Sequence, residues 1–373
     1  MKEKPLVICS FTKNGSKKNE EISRILRKRG FECTGYTLQK YVGKEGMETL
    51  KVLPSPLGEW IGAQWGRTGF LFIGAAGIAV RYIAPWVKDK YTDSPVLVMD
   101  EKGQYIIPIL SGHMGNAVEI ARQIAASTKA VPVLTTATDV QAKFAVDVFA
   151  RRNELYIGDR ELAKRISAAV LEEKKIGFYS AYGWEGKLPE ELVPYESLEK
   201  MKEAGGLGIA VTEEQEREKE MSVEKSAADK EHILFLFPKN IIAGIGCRKG
   251  LPCHALEEQL CRVFQREGMS LVRMAAIASI DLKKEEEGLL ELAQKYQVPF
   301  RTYTAEQLQT VETLLSMELT VESSAFVKQV TGVDNVCERA ALFACPQGRL
   351  LLHKQKLDRM TAALVEQRVQ LQF

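Results

Sequence analysis

The sequence predicts a multi-domain α/β fold built from mostly parallel, doubly wound sheets that are flanked by helices. Short apolar runs of strand length alternate with segments whose apolar residues recur at helical spacing. Several of these runs lead directly into a loop of small residues and then a helix, an order typical of parallel α/β units. The length of 373 residues also exceeds what one ordinary hydrophobic core holds.

These patterns divide the chain into three predicted domains. Residues 1–139 are an N-terminal α/β domain, residues 140–237 a middle α/β region, and residues 238–373 a C-terminal α/β domain. Residues 213–231 are dense in charge and have no apolar period, so they are predicted to be a solvated connector.

The individual elements follow from apolar period, capping residues and chain breakers. In the first domain, strands are predicted at residues 5–11, 31–36, 69–73, 96–99, 105–110 and 131–135, and helices at 17–29, 78–83 and from 117 onward. In the middle region, helices are predicted at 142–152 and 161–172, and strands at 175–180, 208–211 and 232–237. In the last domain, strands are predicted at 241–246, 274–280, 298–303 and 349–353, and helices at 255–266, 285–296 and after the capping boxes that begin at Thr304 and Asn335.

Composition and charge exclude several classes of function. The chain has 51 basic and 49 acidic residues, whereas a dedicated nucleic-acid binder needs a clear basic excess. No apolar segment approaches the roughly 18 residues of a membrane span or the core of a signal peptide. The seven cysteines are odd in number and scattered, which favours reduced thiols. We therefore expect a soluble cytoplasmic protein without a nucleic-acid or membrane partner.

The most informative stretch is Ile-Pro-Ile-Leu-Ser-Gly-His-Met-Gly-Asn, which ends at Asn116. It is predicted to leave a buried strand, turn through Ser111, Gly112, His113 and Gly115, and enter a helix. The amino end of a helix carries about half a positive charge and presents free N–H groups. The loop is therefore predicted to bind part of an anionic substrate.

His113 is the candidate general base of this loop. A positive helix end lowers the pKa of an imidazole and keeps the ring neutral, which is the form that removes protons. Asp139, at the end of a later Val-Leu-Thr-Thr-Ala-Thr-Asp stretch, is the candidate partner. The alternatives are a structural histidine and an aspartate that only caps a turn.

A second small-residue loop, Gly74-Ala-Ala-Gly77, also follows a predicted strand, and Arg81 lies on the helix after it. In doubly wound sheets, ligands bind beyond the carboxyl ends of the strands. We therefore expect this loop, the His113 loop and the stretch ending at Asp139 to share one rim of the sheet.

A third loop, Gly-Ile-Gly-Cys-Arg-Lys-Gly, ends at Gly250. Arg248 and Lys249 suit carboxylate binding, the arginine through a bidentate fork. The loop lacks the third glycine of a dinucleotide fingerprint and no P-loop occurs, so a nucleotide-dependent enzyme is the weaker alternative. The spacing of Cys247, Cys253 and His254 is not that of a zinc site, so no metal site is predicted.

The N-terminal motifs resemble those of the CbiG family, the cobalt-precorrin-5A hydrolases of anaerobic cobalamin synthesis. They are Gly-Ala-Ala-Gly-Ile-Ala-Val-Arg ending at Arg81, Leu-Ser-Gly-His-Met-Gly-Asn ending at Asn116, and the stretch ending at Asp139. Ala-Val-Asp-Val-Phe-Ala at residues 145–150 resembles the start of the family's middle region. One departure is that the family often has a second glycine near Asn116.

Three later motifs resemble the family's C-terminal domain, which also occurs as the separate CobE protein. They are Ala-Gly-Ile-Gly-Cys-Arg-Lys-Gly at residues 243–250, Ile-Ala-Ser-Ile-Asp-Leu-Lys at 277–283, and Gly-Val-Asp-Asn-Val-Cys-Glu-Arg-Ala-Ala at 332–341. After Gly250 this chain has Leu-Pro-Cys-His where the family has small polar and acidic residues, which argues against a function for Cys253 and His254.

The resemblance implies a substrate and a reaction. The substrate is a contracted tetrapyrrole that carries cobalt, so no further cofactor is expected, and bears many acetate and propionate groups. Water opens a δ-lactone of this ring, acetaldehyde leaves, and cobalt-precorrin-5B remains. The alternative is a tetrapyrrole carrier of the same pathway without catalysis. A homodimer and contacts with other pathway enzymes are the protein partners to test.

The resemblance and the helix-terminus argument together define the expected site. His113 and Asp139 are expected at the chemistry. The residues expected to bind the substrate are Gly74, Gly77, Arg81, Ser111, Gly112, Gly115, Asn116, Cys247, Arg248, Lys249, Asp281, Lys283, Asn335 and Glu338.

Overall fold

The computed structural model describes residues 5–89, 92–112, 115–141, 143–213, 232–311 and 334–373. The chain forms two compact units, Met1–Val148 and Phe149–Phe373. Sheets of parallel strands flanked by helices occur in both, which confirms the predicted α/β class.

The first unit contains one seven-stranded sheet. Its elements in chain order are β1 (Leu6–Ser10), α1 (Lys13–Lys28), β2 (Cys33–Thr37), β3 (Lys51–Val52), α2 (Leu57–Gln64), β4 (Gly69–Ile73), α3 (Ala76–Ile83), β5 (Val96–Met99), β6 (Tyr105–Leu110), α4 (Ala117–Thr128), β7 (Val131–Pro132) and α5 (Ala137–Val140). The strand order is β3-β2-β1-β4-β5-β6-β7. Strands β1 to β5 are parallel, whereas β6 runs antiparallel to β5 and β7 runs parallel to β6.

Both faces of the central strands β1, β4 and β5 are buried, which explains their unbroken apolar runs. Ile8 of β1 packs in a cluster with residues of α1 and α4. Val7 and Cys9, which point to the opposite face, pack with residues of α2 and α3. Full burial of one aliphatic side chain stabilises a fold by about 1.5–3 kcal/mol. The alternating faces of each strand therefore hold helices on both sides of the sheet.

The second unit contains a middle sheet and a C-terminal sheet. Helix α6 begins at Val146, just before the first residue of this unit. The elements in chain order are α6 (Val146–Arg152), β8 (Leu155–Ile157), α7 (Arg160–Leu171), β9 (Ile176–Ser180), β10 (Trp184–Glu185), β11 (Leu192–Pro194), α8 (Leu198–Ala204), β12 (Gly208–Val211), β13 (Ile233–Pro238), β14 (Ile241–Cys247), α9 (Cys253–Arg266), β15 (Met274–Ile280), α10 (Glu287–Tyr296), β16 (Phe300–Tyr303), α11 (Ala305–Gln309), α12 (Val336–Ala344), β17 (Arg349–Leu357), β18 (Met360–Glu366) and β19 (Leu371–Gln372).

The middle and C-terminal sheets have five strands each, and β10 and β19 form a separate two-stranded sheet. The middle sheet has the order β11-β9-β12-β13-β8, and only β8 is antiparallel to its neighbour. The C-terminal sheet has the order β16-β15-β14-β18-β17. Strands β14, β15 and β16 are parallel, whereas β18 is antiparallel to β14 and to β17. The carboxyl ends of β14 and β15 therefore lie side by side.

The end of the chain packs on the middle region. Strand β19 pairs with β10, and the Phe373 ring lies 4.7 Å from that of Phe149 and 5.3 Å from that of Phe178, measured between centroids. Asn153 Nδ2 donates to the carbonyl of Gln372 at 2.9 Å, and Gln372 N–H donates back to Asn153 Oδ1 at 2.6 Å. The middle region is thus completed by residues that follow the C-terminal sheet.

Several predicted elements differ from those observed. The strand predicted at 131–135 is only the two-residue β7, and the helix predicted from 142 begins at Val146. Strand β17 is longer than predicted and forms a hairpin with β18, which was not predicted. Most of the predicted connector, residues 214–231, lies outside the described residues.

Candidate functional site

The prediction that three loops share one rim of the first sheet is wrong for the loop at Gly74. Leu110, at the end of β6, pairs with Val96 at the start of β5, because β6 runs opposite to β4 and β5. Ser111 therefore leaves the sheet at the rim opposite to Gly74. A five-residue strand such as β4 separates these rims by roughly 16 Å.

The stretch before α5 does lie beside the loop that follows β6, as predicted. A Cβ placed on Gly112 would be 3.7 Å from Thr136 Oγ1. This proximity follows from the pairing of β7, which runs parallel to β6 and ends at the same rim. Asp139 lies in α5 on this side, whereas its side chain and all of His113 and Met114 lie outside the described residues. Contact between His113 and Asp139 thus stays a prediction.

The loop between β6 and α4 has a tight backbone. Ser111 and Asn116 adopt positive φ angles of 54° and 74°. A Cβ on Gly115 would overlap the Ser111 side chain, so only glycine fits there. Ser111 Oγ donates to the carbonyl of Asp93 at 3.2 Å and is buried. The Ser111 side chain therefore holds the loop to its own domain.

The amino end of α4 is less open than predicted. The N–H groups of Ala117 and Val118 donate to the carbonyls of Ser111 and Gly112, at 3.2 and 3.1 Å. Two of the four amides that a helix start leaves free are therefore occupied by the loop itself. The anion binding predicted for this helix start therefore loses two of its N–H donors.

The loop at Gly74 lies at a different kind of position, the point where the strand order of the first sheet reverses. Open α/β sheets commonly bind ligands at the carboxyl ends of the two strands that meet there, here β1 and β4. Gly74 has a φ of 150°, Gly77 has open space where a side chain would stand, and Arg81 is exposed. Phe11, which no sequence motif indicates, stacks its ring on that of Tyr82 at this rim.

The predicted cationic loops of the C-terminal sheet are brought together. Arg248 and Lys249 follow β14 and are exposed, and Asp281 and Lys283 follow the adjacent parallel strand β15. A carboxylate missed by the sequence analysis, Glu286, joins the two loops. Its Oε2 accepts from Lys283 Nζ at 2.9 Å, and its Oε1 accepts from Gly250 N–H at 2.6 Å.

Cys247 is held in its neutral form at this site. Burial raises the pKa of its thiol, the Lys283 charge opposes that shift, and the Glu286 charge adds to it. A thiolate is the nucleophilic form of cysteine, so the environment does not favour covalent catalysis by Cys247.

Asn335 and Glu338 have structural contacts at the start of α12. Asn335 Oδ1 accepts from Glu338 N–H at 3.4 Å, which is half of the predicted capping box. The Glu338 side chain instead accepts from Lys354 N–H on β17, at 2.5 Å. The side chains are 1% and 2% exposed, which argues against their direct contact with a substrate. The capping box at Thr304 and Gln307 is complete, as predicted.

Two kinds of feature are absent from the residues that the structure describes. The described part of the chain contains no group of three or more His, Cys, Asp and Glu side chains arranged for a metal ion. None of the described helices is both long and apolar enough to cross a membrane.

Comparison with known proteins shows to which family the chain belongs. Three family models match it: the cobalamin synthesis G N-terminal model at residues 59–139, the cobalamin biosynthesis central region at 144–238, and the cobalamin synthesis G C-terminus at 241–365. A cobalt-precorrin-5A hydrolase of Salmonella typhimurium is 35% identical over 76% of this chain and 78% of its own length. The chain belongs to the CbiG family. A Priestia megaterium member named cobalt-precorrin-5A hydrolase is 33% identical over 79% of this chain and 78% of its own length.

Two solved structures of CbiG-related proteins are also similar. A cobalamin biosynthesis protein G homolog from Sulfolobus solfataricus is 20% identical over 98% of this chain and 97% of its own, with a TM-score of 0.42. The CobE protein is 33% identical over 35% of this chain and 92% of its own, with a TM-score of 0.32. Within the CbiG models, His113 and Asp139 fall in the N-terminal match and Arg248 and Lys283 in the C-terminal match.

Proposed function

We propose that this chain is a cobalt-precorrin-5A hydrolase, which opens the δ-lactone of its substrate and releases acetaldehyde. The observation that carries this proposal is the 35% identity, over most of both chains, to a relative of that name. The matches to all three family models support it, because they extend over the N-terminal, middle and C-terminal regions. The cobalt belongs to the substrate, and the protein itself contributes no cofactor.

Arg248 and Lys249 bind carboxylates of the substrate in this proposal. Their exposure at the carboxyl rim of β14 supports the assignment, as does the neighbouring Lys283 after β15. A tetrapyrrole with many acetate and propionate arms needs several separated cationic contacts. The guanidinium fork of Arg248 matches one carboxylate in a bidentate manner.

His113 acts as the base and Asp139 orients it. Water adds to the lactone carbonyl, and the ring opens to a carboxylate and a hydroxyl on the methyl-bearing carbon. Loss of the hydroxyl proton to the base then lets the adjacent C–C bond break, so that acetaldehyde leaves and the electron pair stays on the macrocycle. A positioned base of this kind contributes about 10²–10⁴-fold to the rate. The family motif around Gly112 and Gly115 supports the assignment.

The decisive experiment is anaerobic incubation of the protein with cobalt-precorrin-5A, followed by detection of acetaldehyde. We expect turnover by the native chain, and a loss of at least about 100-fold for His113→Ala with substrate still bound. Unchanged turnover in His113→Ala would remove the histidine from the mechanism. Binding without acetaldehyde release by the native chain would instead indicate a carrier.

The site of action and the partners are part of the same proposal. We place the protein in the cytoplasm, where reduced cysteines are stable. A homodimer or contact with the enzymes that supply and consume its substrate is consistent with this role, and sedimentation of the purified chain measures the first.

A further inference from the structure

The backbone that carries Arg248 and Lys249 is held on both sides. Arg248 N–H donates to the carbonyl of Arg359 at 2.9 Å, and Gly250 N–H donates to Glu286 Oε1 at 2.6 Å. Gly250 has a φ of 74°, a conformation that favours glycine, so the chain turns sharply directly after the two cations. The direction in which both side chains leave the rim thus depends on these two hydrogen bonds.

Glu286 is far less exposed than the two glutamates beside it in the sequence. It stands between Glu285 and Glu287, which are exposed, yet its own side chain is 8% exposed. Burial raises the pKa of Glu286. The hydrogen bonds from Lys283 and Gly250, with the charges of Lys283 and Lys249, outweigh this effect and leave the pKa below its usual value. Glu286 is therefore an ionised carboxylate enclosed by the loops after β14 and β15.

Close packing fixes the position of Glu286. A Cβ on Gly288, in the first turn of α10, would overlap the carbonyl oxygen of Leu251 and lie 3.2 Å from the Cys253 nitrogen. The start of α10 thus touches the same loop that Glu286 holds. A carboxylate placed by such packing has little freedom to follow a substrate, but it can fix the groups that bind one.

We propose that Glu286 is a positioning residue of the substrate site. One oxygen anchors the loop that presents Arg248 and Lys249, and the other holds the amine of Lys283 beside them. This inference rests on the proposed function, because it concerns how the carboxylates of the substrate are bound. Glu286 itself carries the wrong charge to touch those carboxylates.

A positioning role and a simple charge effect predict opposite results. Loss of a negative charge next to Lys249 and Lys283 would, by itself, strengthen the binding of a polyanion and lower KM. Loss of the anchor would let the loop move, so that fewer cations meet their carboxylates and KM would rise. The contacts are remote from the reacting bond, so kcat should change little.

The test compares Glu286→Ala, Glu286→Gln and the charge-matched control Glu285→Ala in the full chain. We expect Glu286→Ala to raise KM about tenfold, with kcat within about twofold, and to speed hydrogen exchange of the Gly250 amide about tenfold or more. Glutamine keeps an acceptor for Gly250 but loses the acceptor for Lys283, so Glu286→Gln should retain the protection of the Gly250 amide and raise KM less than Glu286→Ala does, by up to about threefold. Glu285→Ala should change none of these.

Arg248→Ala distinguishes a failure of the role proposed for Glu286 from a failure of the proposed substrate site. If Arg248→Ala raises KM but Glu286→Ala leaves KM unchanged or lowers it, Glu286 does not position the site, and the proposed function stands. Equal Gly250 exchange in Glu286→Ala and Glu285→Ala would also overturn the inference. If Arg248→Ala and Lys249→Ala leave KM unchanged as well, the substrate-binding assignment fails together with the role of Glu286.

Discussion

Gly244→Ala tests whether α12 must lie directly on β14. Gly244 is in the middle of the central strand of the C-terminal sheet, paired with Ala278 on one side and Ala363 on the other. An added Cβ would overlap the carbonyl oxygen of Cys337 and lie 2.9 Å from Ala341 Cβ. Ordinary carbon–carbon contact begins near 3.5–4.0 Å, so the Ala341 contact alone requires α12 to retreat by about 0.6–1 Å, and the closer Cys337 oxygen requires a larger movement.

The displacement of α12 lowers the free energy of unfolding of the C-terminal sheet. Ala340, Ala341 and Leu342 of α12 belong to a buried cluster, and their contacts loosen as the helix moves. Overpacking of a core typically costs 1–3 kcal/mol, and a clash with backbone on a central strand belongs at the upper end. We expect Gly244→Ala to destabilise the C-terminal sheet by about 2–3 kcal/mol.

Hydrogen exchange of the full chain measures this loss in the affected sheet. A change of 2–3 kcal/mol corresponds to roughly 30- to 150-fold faster exchange of the most protected amides of β14 and β15. The matched control is Gly183→Ala, because Gly183 is exposed and has no atom within 4 Å of an added Cβ. Its effect should stay within about 0.5 kcal/mol. Equal exchange in the two variants would refute the predicted packing of α12.

Three further predictions concern the second unit. Asn153→Ala removes both hydrogen bonds to Gln372 and should cost about 1–2 kcal/mol, seen as faster exchange in β10 and β19; unchanged exchange would contradict the docking of the chain end. Because the folded-state pKa of Glu286 is lowered, its contribution to stability is present above the unfolded pKa of roughly 4.3 and is lost as the pH falls through the folded pKa. The stability advantage over Glu286→Gln in urea should therefore shrink at acidic pH, and a constant difference would argue against this linkage. Burial raises the pKa of Cys247, the Lys283 charge opposes this shift, and the Glu286 charge adds to it. Alkylation of Cys247 at about pH 7.5 should therefore be slow, and Glu286→Gln should accelerate it. Equal alkylation rates in the two proteins would exclude a contribution of Glu286 to this pKa.

Local pattern was sufficient to predict most elements of the sheets. The strands Gly69–Ile73, Val96–Met99, Tyr105–Leu110 and Met274–Ile280 have the predicted bounds, because each is an apolar run limited by polar or small residues. The capping residue was sufficient to predict the start of α12, which begins after Asn335 as predicted. Such signals act within a few residues and do not depend on distant partners.

The direction of β6 is a feature that the local sequence pattern did not predict. Gly103 N–H donates to the carbonyl of Asp100 at 2.9 Å, in a turn between the strands predicted at 96–99 and 105–110. That turn makes β5 and β6 a hairpin, which reverses the exit of β6 toward Ser111. Apolar period is the same in parallel and antiparallel strands, so it did not distinguish the two rims.

Glu286 shows the same limit for a site residue. In the sequence it lies within Lys-Lys-Glu-Glu-Glu, a run that is typical of a solvated surface. Its burial results from the close approach of α10 to the loop at Leu251, a contact between segments more than thirty residues apart. Arg248 and Lys249 could be predicted because a strand, glycines and cations follow one another within a few residues. Glu286 could not be predicted, because its contact with their loop joins segments that are distant in the sequence.

The pairing of β19 with β10 has a consequence for building chimeric proteins. A crossover placed between β13 and β14 would join a middle region to a foreign chain end, without the native partner of Trp184 and without the Phe373 ring against Phe149 and Phe178. Residues 149–373 should therefore be exchanged between relatives as one cassette. A chimera that swaps only the C-terminal sheet should carry its recipient's own last three residues.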